Sequence, residues 1–207
     1  MKLNKCYNVN FGSKPLYKAK LKQPLPIIPI SIKRGVFISE LEPDDEQRLR
    51  NLEPYWKRTK RGVPIIRNFL HECENNFFNQ NNHYKKFYIV EFPDNNPDKN
   101  FKAIAIAEHI EDFIQLSMIQ SDNEKRGKND LLKGAGSCLL YAVSKLAEMM
   151  NLNSVYIRSM PEAIPFYEKA GAKHIGTRDI DFIIKKEDFA EFQKTLEEKY
   201  KIKKFSE

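Results

Sequence analysis

In LLKGAGSCLL, residues 131–140, two glycines one position apart stand behind Lys133 at the mouth of a run with helical spacing. The first four N–H groups of a helix have no partner inside it, and the helix dipole leaves about half a positive charge at that end. Phosphate is the natural ligand for such a place. Gly134 and Gly136 lack the Cβ that would stand between a phosphate oxygen and the backbone, and they accept the dihedrals that aim successive N–H groups inward. Lys133 adds a full charge, the backbone of Ala135 a further N–H, and Ser137 a hydroxyl. Leu139, Val143, Leu146 and Met150 follow along one stripe that anchors the turn to a core. A dinucleotide fingerprint would need a third glycine near Leu139, and an ATP-binding loop would need Gly-Lys-Ser or Gly-Lys-Thr; both are missing. The turn therefore asks for a different phosphate ligand.

Downstream lies SMPEAIPFYEKAGAKHIG, residues 159–176. In this order the two stretches resemble the signatures of the GNAT superfamily of acetyl-CoA-dependent N-acyltransferases. LLKGAGSCLL is similar to that family's pyrophosphate turn, and the second stretch to its short helix with a Phe-Tyr pair before a Gly-Ala turn. The resemblance covers roughly residues 34–185. It implies an α/β (α+β) fold, a mixed and mostly antiparallel twisted sheet flanked by helices, with acetyl-CoA as cosubstrate. Leu131 stands where the family carries Arg or Gln, so Lys133 or the KRGK cluster at 125–128 is expected to supply that side-chain contact. Met160 stands where many members carry Asn.

The resemblance also implies the chemistry: direct attack of a primary amine, on a small molecule or a protein, in a ternary complex. By resemblance FIQLSMIQ, residues 113–120, is the strand that splays from its neighbour. Its backbone around Leu116, Met118 and Ile119 would hold the pantetheine and offer an N–H to the oxyanion, a donor worth about 10² to 10³ in rate. Tyr167 matches the tyrosine that faces the departing thiolate. A phenol of pKa about 10 beside a thiol of about 8.5 points to a strong hydrogen bond more than to proton transfer. The alternative is a core tyrosine packed on Phe166. Glu108, in KAIAIAEHI, is the expected base, sharing a strand face with Ile104 and Ile106 whose apolar surroundings would raise its pKa. His109 and ordered water are the alternatives. Two other readings stay open: acetylation of aminoacyl-tRNA, suggested by the basic arm and KRTKRG at 57–62, and an acyl-CoA-binding protein without turnover.

Periodicity supplies the elements that must position these residues. GVFISEL, from Gly35, reads as a first strand, followed by a helix near 43–53 with acids at its front. VPIIRNFLHECENNF is helical. KKFYIVEF, FKAIAIAEHI and DFIQLSMIQ read as an antiparallel meander. The helix after Gly134, the strand NSVYIRS, a helix near 162–170 and a strand or hairpin across HIGTRDIDFIIKK complete the expected domain, residues 34–185. Residues 186–207 read as an amphipathic helix that packs on the body through Phe189, Phe192, Leu196 and Tyr200; a homodimer contact there stays open.

The first 33 residues read as a separate arm. Pro24, Pro26 and Pro29 favour an extended, polyproline-like path along the body. Residues 1–34 carry eight Lys and Arg and no acid, leaving 27 bases against 28 acids in the remainder of this +7 chain. So balanced a body argues against a general polyanion surface. The arm reads as solvated, with nucleic acid or an acidic partner the less favoured reading. Cys6, Cys73 and Cys138 are odd in number and without metal-ligand spacing, so neither a disulfide framework nor a metal site is expected. The 207 residues suit one domain with appended segments, and with neither an apolar span nor a signal-like start a cytoplasmic address is expected.

Overall fold

A computed structural model describes residues 13–24, 31–56, 63–79, 84–93, 101–121, 133–177 and 180–206. The start of the arm, Pro26 and Pro29, KRTKRG, KRGK and Leu131 lie outside the described residues.

The strands are β1 (Lys14–Pro24), β2 (Ser31–Glu40), β3 (Lys85–Glu91), β4 (Phe101–Ile110), β5 (Phe113–Ser121), β6 (Ser154–Arg158), β7 (Lys173–His174), β8 (Asp181–Lys185) and β9 (Lys203–Lys204). The helices are α1 (Glu46–Trp56), α2 (Val63–Glu74), α3 (Ala135–Met149), α4 (Ile164–Ala170) and α5 (Phe189–Tyr200). All nine strands join one sheet in the order β7-β8-β6-β5-β4-β3-β2-β1-β9. Every pairing is antiparallel except β5 with β6, which α3 connects as a crossover.

Alternation along the central strands builds two layers. Phe87, Ile89, Ile104 and Ile106 face α1 and α2, meeting Leu49, Leu52, Ile65, Ile66 and Phe69. Tyr88, Val90, Ala103, Ala105 and Ala107 face α3. Three alanines in a row on that face let the α3 backbone come close to the sheet. The helix is buried on nearly all sides because α5 covers its far flank, where the Tyr141 hydroxyl donates to Glu197 Oε1 at 2.7 Å. Burial therefore exceeds the single stripe expected, and Met150, assigned to that stripe, is exposed at the helix end.

The arm is corrected most. Lys14–Pro24 does not run beside the body; it pairs with β2 along its whole length. Ala19 and Leu21 point into the core while Lys18, Lys20 and Lys22 point out, a period of two that the prolines beyond it obscured. The first expected strand accordingly begins at Ser31 rather than Gly35. At the other end the helix stops at Tyr200, Lys201 takes a left-handed turn (φ 53°), and β9 adds to the edge of β1. Phe189, Phe192 and Leu196 are buried as the amphipathic pattern expects, each on the order of 1.5–3 kcal/mol.

Candidate functional site

β5 leaves β6 halfway along. Phe113–Leu116 pair with Ser154–Ile157, whereas residues 118–121 have, among the described residues, a strand partner only on the β4 side. At the parting, Ile106 faces Met118 and Ala107 faces Leu116, so Ser117 is one residue too many. Such a bulge raises local twist and bends the strand away from its neighbour. A wedge opens between the two strands. Leu116 sits buried at its closed end, and Met118 (40% exposed) and the half-buried Ile119 run along its side.

The start of α3 borders this wedge. A Cβ on Gly136 would lie 3.0 Å from Phe166 Cζ and 3.7 Å from Ile119 Cδ1. Gly134, at φ 107°, has no room for one either, since it would meet Tyr200 Cε1 at 2.3 Å. The ground above the two glycines was expected to be open for phosphate; instead the Tyr200 and Phe166 rings pack down on it. The donors remain. The N–H groups of Gly134, Ala135, Gly136 and Ser137 bond to no other described residue, no side chain caps the helix, and Cys138 is the first to donate inward, to the Gly134 carbonyl at 3.0 Å. Lys133 holds its exposed side chain at the same place, its own N–H donating to the Lys22 carbonyl at 3.0 Å. Ser137 Oγ lies 3.4 Å from the Tyr200 hydroxyl.

Tyr200 and Phe166 are the neighbours of the turn that sequence reasoning did not assign to it. Tyr200 ends the apolar stripe of α5, which marks it as packed but not against what; Phe166 was read only as a partner for Tyr167. Because Gly134→Ala must both hold a positive φ and displace the Tyr200 ring, it is expected to destabilise the fold by roughly 2 kcal/mol. Urea unfolding of the variant, read as a lowered midpoint at unchanged slope, checks this.

Tyr167 follows Phe166 on α4 and is 3% exposed. Its ring packs on Phe166 (centroids 4.9 Å apart) and Phe182 (5.5 Å), and its hydroxyl bonds to no other described residue. Burial pushes the phenol up to about 12. Glu108 stands apart from this group. It lies half-buried opposite Lys85 on β3 and Gln115 on β5, on the α1–α2 side of the sheet, whereas Tyr167 belongs to the α3 side. Its surroundings are thus not purely apolar, since Lys85 is its cross-strand neighbour. His109 is drawn into the β4–β5 turn, its Nε2 2.9 Å from the Glu111 carbonyl. Of the described thiols, Cys138 is fully buried and Cys73 is pushed up to about 12 by burial, so neither is a ready nucleophile. Among the described residues no three His, Cys, Asp or Glu side chains gather as a metal site would require, and no helix is long and apolar enough to cross a membrane.

No protein-family model matches the sequence, and no curated protein is similar to it. Solved structures are. A GNAT-family acetyltransferase from Staphylococcus aureus Mu50 matches with a TM-score of 0.50 at 17% identity, over 72% of this chain and 96% of its own. A GNAT-family protein from Desulfovibrio desulfuricans matches with a TM-score of 0.51 at 14% identity, over 72% and 98%. A spermidine N-acetyltransferase chimera of Vibrio cholerae SpeG and hSSAT matches with a TM-score of 0.51 at 17% identity, over 75% and 98%. At such identities the likeness is one of fold: the chain has the GNAT acyltransferase architecture.

Proposed function

We propose that this protein is an N-acetyltransferase that uses acetyl-CoA and acts on a primary amine by direct attack in a ternary complex. The observation that carries the reading is the wedge between β5 and β6 beside a helix start whose first four N–H groups bond to no other described residue. Bound acetyl-CoA would supply the acyl group as a reactive thioester. The backbone from Gly134 to Ser137, with the Lys133 ammonium, is suited to hold its diphosphate. Residues 117–121 of β5, with no described strand partner on the wedge side, are suited to offer main-chain groups to an extended pantetheine and an N–H where negative charge develops on the acyl oxygen. The Tyr167 hydroxyl is assigned to the sulfur, as a neutral donor. Glu108, reached from the α1–α2 side, is assigned to take the amine proton through water. The GNAT fold supports acyl transfer, and the spermidine acetyltransferase among the structural neighbours supports an amine acceptor.

Thermal shifts with acetyl-CoA, NAD and ATP test the binding step. At about 100 times its dissociation constant the true ligand adds roughly 2.7 kcal/mol of stability, and acetyl-CoA alone is expected to do so. Release of CoA thiol in the presence of a panel of polyamines and lysine peptides tests the transfer. Binding with no turnover on any amine would reduce the protein to an acyl-CoA-binding module.

A further inference from the structure

Three lysines of the arm stand in the sheet beside lysines from the other end of the chain. Lys18, Lys20 and Lys33 of β1 and β2 meet Lys201, Lys203 and Lys204 around β9, and together they line a groove of about 790 Å3. Among the described residues no Asp or Glu lines it, and none of the six pairs with a carboxylate of another described residue. Several cations elsewhere are paired instead: Arg48 with Glu91, Arg50 with Glu46, Lys85 with Glu72, Lys173 with Asp188. Two registers even set lysine against lysine, Lys22 opposite Lys33 and Lys18 opposite Lys203. Like charges directly opposite one another repel, so this arrangement weakens the bare sheet and gains from an anion laid over it. Strand alternation spaces the outward lysines of β1 two residues apart, about 6.8 Å. Between them the floor is low at Gly35, opposite Lys20, where a Cβ would meet nothing within 4 Å. It is aromatic at Phe37, which packs edge-on against Phe205 at 5.6 Å.

We propose that this groove binds the phosphate backbone of a single-stranded nucleic acid. A row of evenly spaced cations along an extended strand suits an extended chain of evenly spaced anions, and a ring surface beside it suits bases. A lipid surface fits less well. The groove is concave, and among the described residues none of the exposed large apolar side chains (Tyr84, Met118, Met149, Met150, Met160) lines it for insertion into a bilayer. The inference rests on this edge of the sheet and not on the acetyl-transfer reading.

The test is fluorescence anisotropy with a labelled oligouridylate at several salt concentrations. Each phosphate neutralised contributes about −0.7 to the slope of log K against log salt for a single strand. The Lys18→Gln, Lys20→Gln, Lys33→Gln triple variant is expected to bind at least about tenfold more weakly and to flatten that slope by about 2. A control with Lys173→Gln, Lys185→Gln and Lys186→Gln, near the opposite edge of the sheet, removes the same charge and is expected to bind like the parent. Cooperative urea unfolding of both variants, with a midpoint for the groove variant no lower than the parent's, verifies that they fold. No binding by the parent at low salt, an equal loss in both variants, or equally strong groove-dependent binding of polyglutamate or phosphatidylserine vesicles would each overturn the proposal.

Discussion

Tyr167→Phe is expected to turn over about 10²-fold more slowly than the parent protein while melting at the same temperature. The phenylalanine ring keeps the packing on Phe166 and Phe182. The hydroxyl it loses bonds to no other described residue, so the fold forfeits little with it. In the reaction the same hydroxyl is assigned to the sulfur, where charge accumulates, and a hydrogen bond to a charged partner in a dry place is among the stronger ones. Burial sharpens how it can act. With the phenol at about 12 against an ordinary thiol near 8.5, full proton transfer is uphill by about 5 kcal/mol, so donation without transfer is the route available. A raised phenol stays neutral until about pH 11, and between pH 6 and 9 parent and variant should therefore trace parallel rate profiles. Loss in the variant of a basic limb that the parent shows below pH 10 would contradict this role. An unchanged rate would leave Tyr167 as packing alone.

Gly136→Val is expected to abolish the acetyl-CoA thermal shift, the full 2.7 kcal/mol or so at about 100 times the dissociation constant, with the unliganded fold changed by about 1 kcal/mol or less. Gly136 lies within the first turn of α3 without a positive φ, so valine can adopt its backbone, and helix propensity favours the exchange slightly. Its Cβ presses on the far end of the half-buried Phe166 ring, which can give way, and its methyl groups then occupy the mouth of the wedge beside Ile119. The contrast with Gly134→Ala is the useful control. There the obstacle is a positive φ and the Tyr200 ring, and the cost falls on folding before any ligand arrives. Equal acetyl-CoA shifts in Gly136→Val and the parent would remove the turn from the site.

The central elements were legible because their periods are strong. Ile65, Ile66, Phe69 and Leu70 mark α2, and the alternation of Phe87, Ile89, Ile104 and Ile106 marks the strands they pack against. The glycine turn was legible because few residues tolerate what Gly134 does. β1 was not, since Ala19 and Leu21 are a sparse apolar signal among lysines and next to prolines, and β2 is what makes a strand of them. β9 is two residues long, below any pattern. The same limit governs the site. That Tyr200 would roof Gly134, that Lys85 would stand opposite Glu108, and that Lys203 would join Lys18 are consequences of long-range packing and register, which no local spacing encodes. Charge counted along the chain looked like a tail and a neutral body; folded, Lys18, Lys20 and Lys33 of that tail join Lys201, Lys203 and Lys204 in one groove at a sheet edge.

A crystal structure grown with acetyl-CoA is the most direct test of the main assignment. The expected result is a diphosphate seated on the first turn of α3, with oxygens within about 3 Å of the Gly136 and Ser137 nitrogens and the pantetheine lying in the wedge beside Ile119. A cofactor bound elsewhere, with those nitrogens still without a ligand, would contradict it.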